Sequence, residues 1–366
     1  MGDGIRTTSG PLIMIGIPGP ELDSGMRRLL QRYSIGGVIL FRRNVRDLES
    51  LAALTAEIHA ANAERPPLVA IDHEGGRVSR LDEPFTKFPP AAVIGAAGSP
   101  HFAYREGVAM GEELRAVGID INFAPVLDVN SNPRNPVIGD RSFGAHPKTV
   151  SRMGISLAHG LQRTGMIPCG KHFPGHGDTD VDSHLDLPVV NKSLSDMERV
   201  ELFPFRRAIQ AGLDALMTAH VVFRALDPAH PATLSYRVMT ELLRERLRFR
   251  GVVFSDDLEM KAISDRFGVE ESAIQAIEAG ADWLLFCQTP EKAVTAIEAI
   301  DRMASRRARL RDRIAEAGAR IDQLRRGHER KLRRPAQPIP PEGFERHRNL
   351  VTWIEERAKS RAVARA

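Results

Sequence analysis

Short apolar runs rich in β-branched residues recur along the chain, and longer stretches of helical period separate them. Runs of this kind are typical of strands that are buried on both faces, and strands separated by helices join in parallel through right-handed crossovers. The alternation therefore predicts a parallel sheet with a helical outer layer. Eight such runs are present, at residues 11–17, 36–41, 67–72, 121–129, 167–173, 215–221, 251–257 and 282–287.

The number of runs favours one closed architecture, since eight strand–helix units form a (β/α)8 TIM-like barrel by default. A doubly wound open sheet also alternates strands and helices, but it usually places its functional loops at one switch point. Here polar and ionisable residues cluster at the C-terminal ends of the third to seventh runs. In a barrel those strand ends meet at one mouth, so we expect these residues to form one site.

The pattern changes near residue 302, which divides the chain into two predicted parts. Residues 1–302 are predicted to form the barrel, and residues 303–366 an Arg-rich C-terminal helical extension packed on it. The extension comprises a helical stretch at 305–334, a turn-rich segment at 335–341 and a terminal helix near 350–363. We interpret its arginines as a solvated helix face rather than a nucleic-acid or membrane patch.

Composition excludes several classes of protein. The 366-residue chain is 42% hydrophobic and has a formal net charge of only +4, which is typical of a globular protein and does not favour nucleic acid as a partner. Residues 1–10 lack the apolar core of a secretory signal, and no run reaches the ~18 apolar residues of a membrane span. We expect a cytoplasmic protein that does not insert into membranes, with Cys169 and Cys287 as reduced core thiols.

The densest group of ionisable residues lies in a Gly- and Pro-rich segment at 171–188. It holds His172, His176 and His184 together with several aspartates, and such a loop over a barrel mouth can gate chemistry. Three histidines could bind a metal, but neither an HExxH nor a Cys-rich pattern accompanies them, so no metal is predicted. The favoured hypothesis is that Asp182 orients His184 as a proton carrier.

A second candidate is the pair Asp256 and Asp257, which follows the apolar run 252–254. A carboxylate at the end of a barrel strand is a candidate nucleophile if a nearby cation keeps it ionised. The alternative is that one aspartate caps the next helix. We expect that one attacks and the other supports.

Four segments together resemble glycoside hydrolase family 3, specifically its single-domain bacterial β-N-acetylhexosaminidases. The resemblance spans about residues 12–300, and the co-occurrence of the four makes it specific. The segments are Ile71-Asp72-His73-Glu74-Gly75-Gly76-Arg77-Val78-Ser79-Arg80, Lys171-His172-Phe173-Pro174-Gly175-His176-Gly177, Asp182-Ser183-His184 and Phe254-Ser255-Asp256-Asp257-Leu258.

The resemblance implies roles for individual residues. It makes Asp256 the nucleophile and makes Asp182 and His184 the acid/base pair on the loop. His220 stays evenly balanced between a site residue and a satisfied core histidine. The residues implied in binding the sugar are Asp72, Arg80, Arg141, Lys171 and His172.

The implied activity is that of a retaining exo-β-N-acetylglucosaminidase of peptidoglycan recycling. Its substrate would be N-acetylglucosaminyl-1,6-anhydro-muramic acid with or without peptide, and it would act as a monomer without cofactor. Two enzymatic alternatives stay open: a phosphorylase or other β-glycosidase of the family, and a metal-dependent barrel hydrolase. A catalytically inactive sugar-binding barrel is a further alternative, and so is a mechanism in which the substrate's acetamide is the nucleophile.

Overall fold

A computed structural model of the protein describes residues 8–180, 182–183, 186–332 and 339–364. The strands in these ranges fall close to the predicted runs. In chain order they are β1 (Ile13–Gly16), β2 (Gly37–Leu40), β3 (Leu68–Ile71), β4 (Ile121–Asn122), β5 (Ile167–Phe173), β6 (Val189–Val190), β7 (Ala215–Thr218), β8 (Val222–Phe223), β9 (Val252–Asp257) and β10 (Trp283–Phe286).

Eight of these strands close into one parallel barrel in the order β1-β10-β9-β7-β5-β4-β3-β2, which confirms the predicted (β/α)8 fold. The barrel is filled by large side chains. Phe254 stacks on Trp283 with ring centroids 5.1 Å apart and meets Phe123 edge-on at 5.3 Å. The inside of the barrel is therefore a packed core, and only its ends can form sites.

Helices surround the barrel and join its strands. They are α1 (Ser24–Arg32), α2 (Leu48–Ala60), α3 (Ala91–Ala97), α4 (Pro100–Ala116), α5 (Pro147–Thr164), α6 (Leu194–Arg199), α7 (Leu202–Gln210), α8 (Lys261–Ser264), α9 (Val269–Ala279), α10 (Pro290–Ala304), α11 (Ala308–Leu332) and α12 (Pro341–Val363). A π-helix at Arg237–Arg246 joins β7 and β8 to β9, and 3-10 turns occur at Gly10–Leu12, Arg42–Asn44, Gly139–Arg141 and Ala232–Leu234.

Most of the observed strands are shorter than the predicted runs, and the difference is greatest for the run at 121–129. The run at 121–129 is a strand only at Ile121–Asn122, although Val126 forms an isolated bridge with Lys171 of β5. Pro125 interrupts this pairing because proline has no amide hydrogen to donate to a sheet. The run at 215–221 ends as a strand at Thr218, and β8 then pairs with β6 in a separate two-stranded sheet.

The chain after α10 forms two long helices that lie on different parts of the barrel. At the N-terminal ends of the strands, the buried carboxylate of Asp282 binds Arg244 and also Arg313 and Arg320 of α11. Helix α12 packs on α3 and α4, where His347 lies 3.0 Å from Glu112 and 2.8 Å from Glu113. Among the described helices, none combines the length and the hydropathy needed to cross a bilayer.

Candidate active site

Charged side chains from two strand ends meet at the mouth of the barrel. Asp72 and Glu74 follow β3, and Lys171 lies in β5 with its Nζ 2.5 Å from Asp72 Oδ1 and 2.6 Å from Glu74 Oε1. Arg141 comes from the 3-10 turn Gly139–Arg141 and binds Glu74 through two hydrogen bonds of 2.8 Å. Four residues from distant parts of the sequence thus form one continuous network.

This network keeps its members charged despite their burial. Burial by itself would raise the pKa of Glu74, but Arg141 and Lys171 outweigh it and hold that pKa far below its usual range. Burial likewise opposes the charge on Lys171, yet Asp72 and Glu74 raise the pKa of its ammonium group. The mouth therefore presents a fixed ammonium, a fixed guanidinium and the partly exposed carboxylate of Asp72.

His172 contacts this network through Arg141 and is held on its other side by Asp128, a fully buried carboxylate in the segment after β4. The Asp128 carboxylate lies 2.6 Å from His172 Nδ1 and also accepts hydrogen bonds from the amides of His172 and His176. Burial would raise the pKa of Asp128, but His172 outweighs it and lowers that pKa. The other ring nitrogen, Nε2, lies 3.4 Å from the Arg141 guanidinium, so the ring lies between a carboxylate and a guanidinium.

Asp256 and Asp257 end strand β9, and both are partly buried. The Asp257 amide donates to Asp256 Oδ1 at 2.8 Å, while Asp257 Oδ1 accepts from the amides of Glu259 and Cys287. Burial is the main reason that the pKa of Asp257 rises to about 7, with Asp256 and Glu259 adding to it. The two adjacent carboxyls thus have different surroundings.

Asp256 stands at the end of β9, and Asp72 and Lys171 stand at the same ends of β3 and β5 in the parallel barrel. Burial raises the pKa of the Cys169 thiol far above its usual range; Lys171 opposes the rise, and Asp72 and Asp256 add to it. Cys169 belongs to β5, so these charges from β3, β5 and β9 converge on one region of the barrel mouth.

The loop after β5 is described except for Val181, His184 and Leu185. Asp182 is partly buried, and its carbonyl accepts a hydrogen bond from the Asp186 amide at 3.0 Å. His184, the predicted proton carrier, lies outside the described residues. Its role as the proton carrier therefore stays a prediction.

Two of the singled-out residues lie apart from the network. The Arg80 guanidinium sits 5.8 Å from the Phe41 ring centroid, and its buried Nε has no hydrogen-bond partner within the described ranges. His220 is fully buried, with Nδ1 2.8 Å from Thr233 Oγ1 and Nε2 2.9 Å from the Asp257 carbonyl. Of the two interpretations of His220, its contacts favour a satisfied core histidine.

The histidines of the described part of the loop have both ring nitrogens engaged. His172 contacts Asp128 and Arg141, and His176 contacts Thr179 and Ser183. Over the stretches that the structure describes, no three His, Cys, Asp or Glu side chains are grouped so that they could hold a metal ion. The prediction that the enzyme uses no metal stays a prediction.

Sequence reasoning gave no role to Glu74 or Asp128, although both stand at strand ends. Each is a buried carboxylate that fixes residues implied in sugar binding: Glu74 fixes Lys171 and Arg141, and Asp128 fixes His172. The available signal was their position at or near the C-terminal end of an apolar run. Their partners could not be read from the sequence because each partner lies 44 or more residues away along the chain.

A parallel barrel with carboxylates and fixed cations gathered at the C-terminal strand ends defines a barrel enzyme with a polar, small-molecule site. The sequence profile for the "Glycosyl hydrolase family 3 N terminal domain" matches residues 5–324. The chain belongs to glycoside hydrolase family 3, and its activity is that of a β-N-acetylhexosaminidase.

Curated relatives support this assignment along most of the chain. A β-hexosaminidase of Thiobacillus denitrificans is 45% identical over 311 residues, which cover 83% of this chain and 86% of the relative. A β-hexosaminidase of Nitrosomonas eutropha is 41% identical over 78% of this chain and 82% of its own length.

Solved structures agree with the fold. A family 3 β-N-acetylglucosaminidase from Paenibacillus sp. superposes with a TM-score of 0.92 at 41% identity and covers 97% of this chain, which spans 68% of that protein. Native NagZ from Neisseria gonorrhoeae superposes with a TM-score of 0.77 at 35% identity, covering 94% of this chain and 97% of that one.

Proposed function

We propose that this β-N-acetylhexosaminidase is a retaining exo-β-N-acetylglucosaminidase that works through a covalent glycosyl-aspartate on Asp256. The observation that carries the proposal is the position of Asp256 at the C-terminal end of β9, in the same parallel barrel whose other strand ends hold the Lys171–Asp72 ion pair. A nucleophilic carboxylate must stay ionised beside the sugar, and a fixed ammonium in the same pocket favours the ionised form.

The second half of the proposal is the acid/base pair of Asp182 and His184. Retaining glycosidases protonate the leaving oxygen in the first step and deprotonate water in the second. A histidine that alternates between cation and neutral imidazole does this without placing another anion beside Asp256. The role of Asp182 is to orient and stabilise that cation.

The sugar is proposed to bind Asp72, Arg80, Arg141, Lys171 and His172. Asp72 offers an acceptor, whereas Lys171 and Arg141 offer donors, and charge-assisted hydrogen bonds of this kind are strong enough to select hydroxyl geometry. The buried carboxylates Glu74 and Asp128 hold these groups in place. The pocket is thus proposed to be preorganised before substrate arrives.

The proposed natural substrates are peptidoglycan fragments that end in β-linked N-acetylglucosamine, such as N-acetylglucosaminyl-1,6-anhydro-muramic acid with or without peptide. Two features support this: the similarity to the NagZ and β-N-acetylglucosaminidase structures, and the resemblance on which the sequence prediction rests. The enzyme would act on such fragments in the cytoplasm.

The test begins with release of nitrophenol from aryl β-N-acetylglucosaminide and from the matching β-glucoside. We expect selective cleavage of the first, loss of at least about a thousandfold in kcat for Asp256→Ala, and wild-type rates for the exposed control Asp265→Ala. Mass spectrometry after a slow fluorinated substrate should find the sugar on Asp256. Labelling of a different residue would make that residue the nucleophile, and the absence of any label would point to the substrate's acetamide.

The same assay separates the enzymatic alternatives. In phosphate buffer a phosphorylase would release the sugar 1-phosphate, whereas the proposed hydrolase releases free N-acetylglucosamine. Activity that disappears in chelator and returns with added metal would favour a metal-dependent hydrolase. Cleavage of the anhydro-disaccharide, followed by chromatography, tests the substrate assignment.

A further inference from the structure

The loop that carries the proposed acid/base pair is attached to the barrel by a buried histidine with no role in the proposed mechanism. His176 is 1% exposed, and its Nε2 lies 3.2 Å from Ser183 Oγ. Ser183 is 2% exposed and stands between Asp182 and His184 in the sequence. A contact to Ser183 therefore acts on the backbone that carries both members of the pair.

The hydrogen-bond partners of His176 indicate which ring nitrogen carries the proton. Asn135 is oriented by two amides that donate to its Oδ1, so its Nδ2 donates to the His176 carbonyl at 2.8 Å and to Thr179 Oγ1 at 3.1 Å. Thr179 Oγ1 has one hydrogen, and it also lies 3.1 Å from the His176 carbonyl and 2.9 Å from His176 Nδ1.

Each of these contacts can be a hydrogen bond only if the Thr179 hydroxyl donates to the His176 carbonyl and His176 Nδ1–H donates to Thr179 Oγ1. The opposite tautomer would leave two acceptor oxygens 3.1 Å apart with no hydrogen between them. Nε2 is then an acceptor, and the Ser183 hydroxyl donates to it. Burial, with a contribution from His172, lowers the pKa of His176 to about 4, so the ring stays neutral in this role near neutral pH.

Ser183 is also fixed by the segment that follows β9, the next strand but one from β5 in the barrel. Its carbonyl accepts a hydrogen bond from the Ala262 amide at 3.3 Å, and Ala262 lies in α8, directly after the strand that ends in Asp256 and Asp257. A salt bridge of 2.6 Å between Asp186 and Arg266 joins the same two segments at the surface. Ser183 thus connects the end of β5 to the segment after β9.

We propose that His176 and Ser183 are positioning residues, which set the place of the acid/base pair relative to Asp256 through the hydrogen bond from the Ser183 hydroxyl to the His176 ring. The inference rests on the proposed roles of Asp182, His184 and Asp256. It adds that the loop is held by a neutral histidine that never touches the sugar. Neither residue is expected to change the chemistry of the nucleophile itself.

The test uses the leaving group of the substrate. A dinitrophenolate departs without a proton, whereas a methoxyphenolate or the sugar of a disaccharide needs one, so only the second kind depends on a well-placed acid. For Ser183→Ala we expect kcat/KM to fall about tenfold or more with the poor leaving group and less than about twofold with the dinitrophenyl substrate. Ser183→Thr, which keeps a hydroxyl, should recover most of the loss.

A second variant breaks the same hydrogen bond from the other end. His176→Ala should show the same dependence on the leaving group, and the double variant should be little worse than either single one, because the two changes remove one interaction. The matched control is Ser131→Ala, whose hydroxyl contacts Asp178, Glu201 and Lys192 near the same loop. It should leave the leaving-group dependence unchanged.

The outcomes separate this inference from the proposed function. If His184→Ala shows the leaving-group dependence but Ser183→Ala and His176→Ala do not, the positioning role is wrong and the acid/base role stands. If His184→Ala loses activity equally with both substrates, the acid/base role itself is wrong. An equal loss with both substrates in the Ser183 and His176 variants would show a merely structural contact and would overturn the inference.

Discussion

Glu74 and Arg141 are joined by two parallel hydrogen bonds, each 2.8 Å long, from the guanidinium to the carboxylate. Lys171 binds the same carboxylate at 2.6 Å and Asp72 at 2.5 Å. The carboxylate of Glu74 is 4% exposed, so the pair is shielded from water. Two cations proposed to hold the sugar are thus both bound by one buried anion.

We expect Glu74→Gln to lower both stability and activity. The amide keeps the shape but leaves Arg141 and Lys171 with one counter-charge fewer, and breaking a buried pair costs about 3–5 kcal/mol. Urea unfolding measures this loss, and KM should rise with it. The control is Asp140→Asn, which breaks the half-exposed pair with Arg77 and should cost at most about 1 kcal/mol. Equal losses in the two variants would contradict this account.

A second prediction follows from the contact between Asp128 and His172. An amide at position 128 can donate as well as accept, so Asp128→Asn weakens the preference for a hydrogen on His172 Nδ1 and frees the ring to turn. We expect kcat/KM to fall about a hundredfold, in the range lost when partners that orient a histidine are removed. Steady-state kinetics and the inhibition constant of free N-acetylglucosamine measure it. An unchanged inhibition constant would argue against His172 as a sugar ligand.

Asp257 makes stability depend on pH. Its folded pKa of about 7 lies above that of an unfolded aspartate, so between about pH 4 and pH 7 the folded state binds more protons. The contribution of Asp257 to the free energy of unfolding is therefore present at low pH. It is lost as the pH rises towards 7, by up to about 1 kcal/mol per pH unit. Asp257→Asn should remove this part of the slope while keeping the acceptor at Oδ1.

Unfolding by urea at pH 5, 6, 7 and 8 checks this prediction. The free-energy difference between Asp257→Asn and wild type should move in favour of the variant up to pH 7 and change little above it. A difference that stays constant with pH would show that Asp257 is ionised throughout this range.

Asp282 links the extension to the base of the barrel. Its carboxylate is fully buried and contacts Arg244, Arg313 and Arg320 as well as the Val253 amide. Asp282→Ala should destabilise the fold by about 3–5 kcal/mol, because three guanidinium groups lose their shared partner. It should also speed proteolysis within α11. The exposed Asp312→Ala on the same helix is the control and should leave both measurements near wild type.

The prediction of the fold succeeded where the signal was local. Buried β-branched runs mark all eight barrel strands, and only Pro125 shortened one of them markedly. Strand ends also marked the right region for the site. What could not be predicted were contacts between residues far apart, such as Glu74 with Arg141 or His347 with Glu113, because no local pattern carries them.

Helix α12 has a consequence for the order in which the molecule can form during synthesis. Its Phe344 meets Phe85 edge-on with centroids 6.0 Å apart, His347 contacts Glu113 of α4, and Arg361 donates to the Ala97 carbonyl at the end of α3. These partners belong to the first third of the chain. The ribosome therefore makes that surface well before it makes α12, which covers it. These residues can complete their native packing only after α12 has left the exit tunnel.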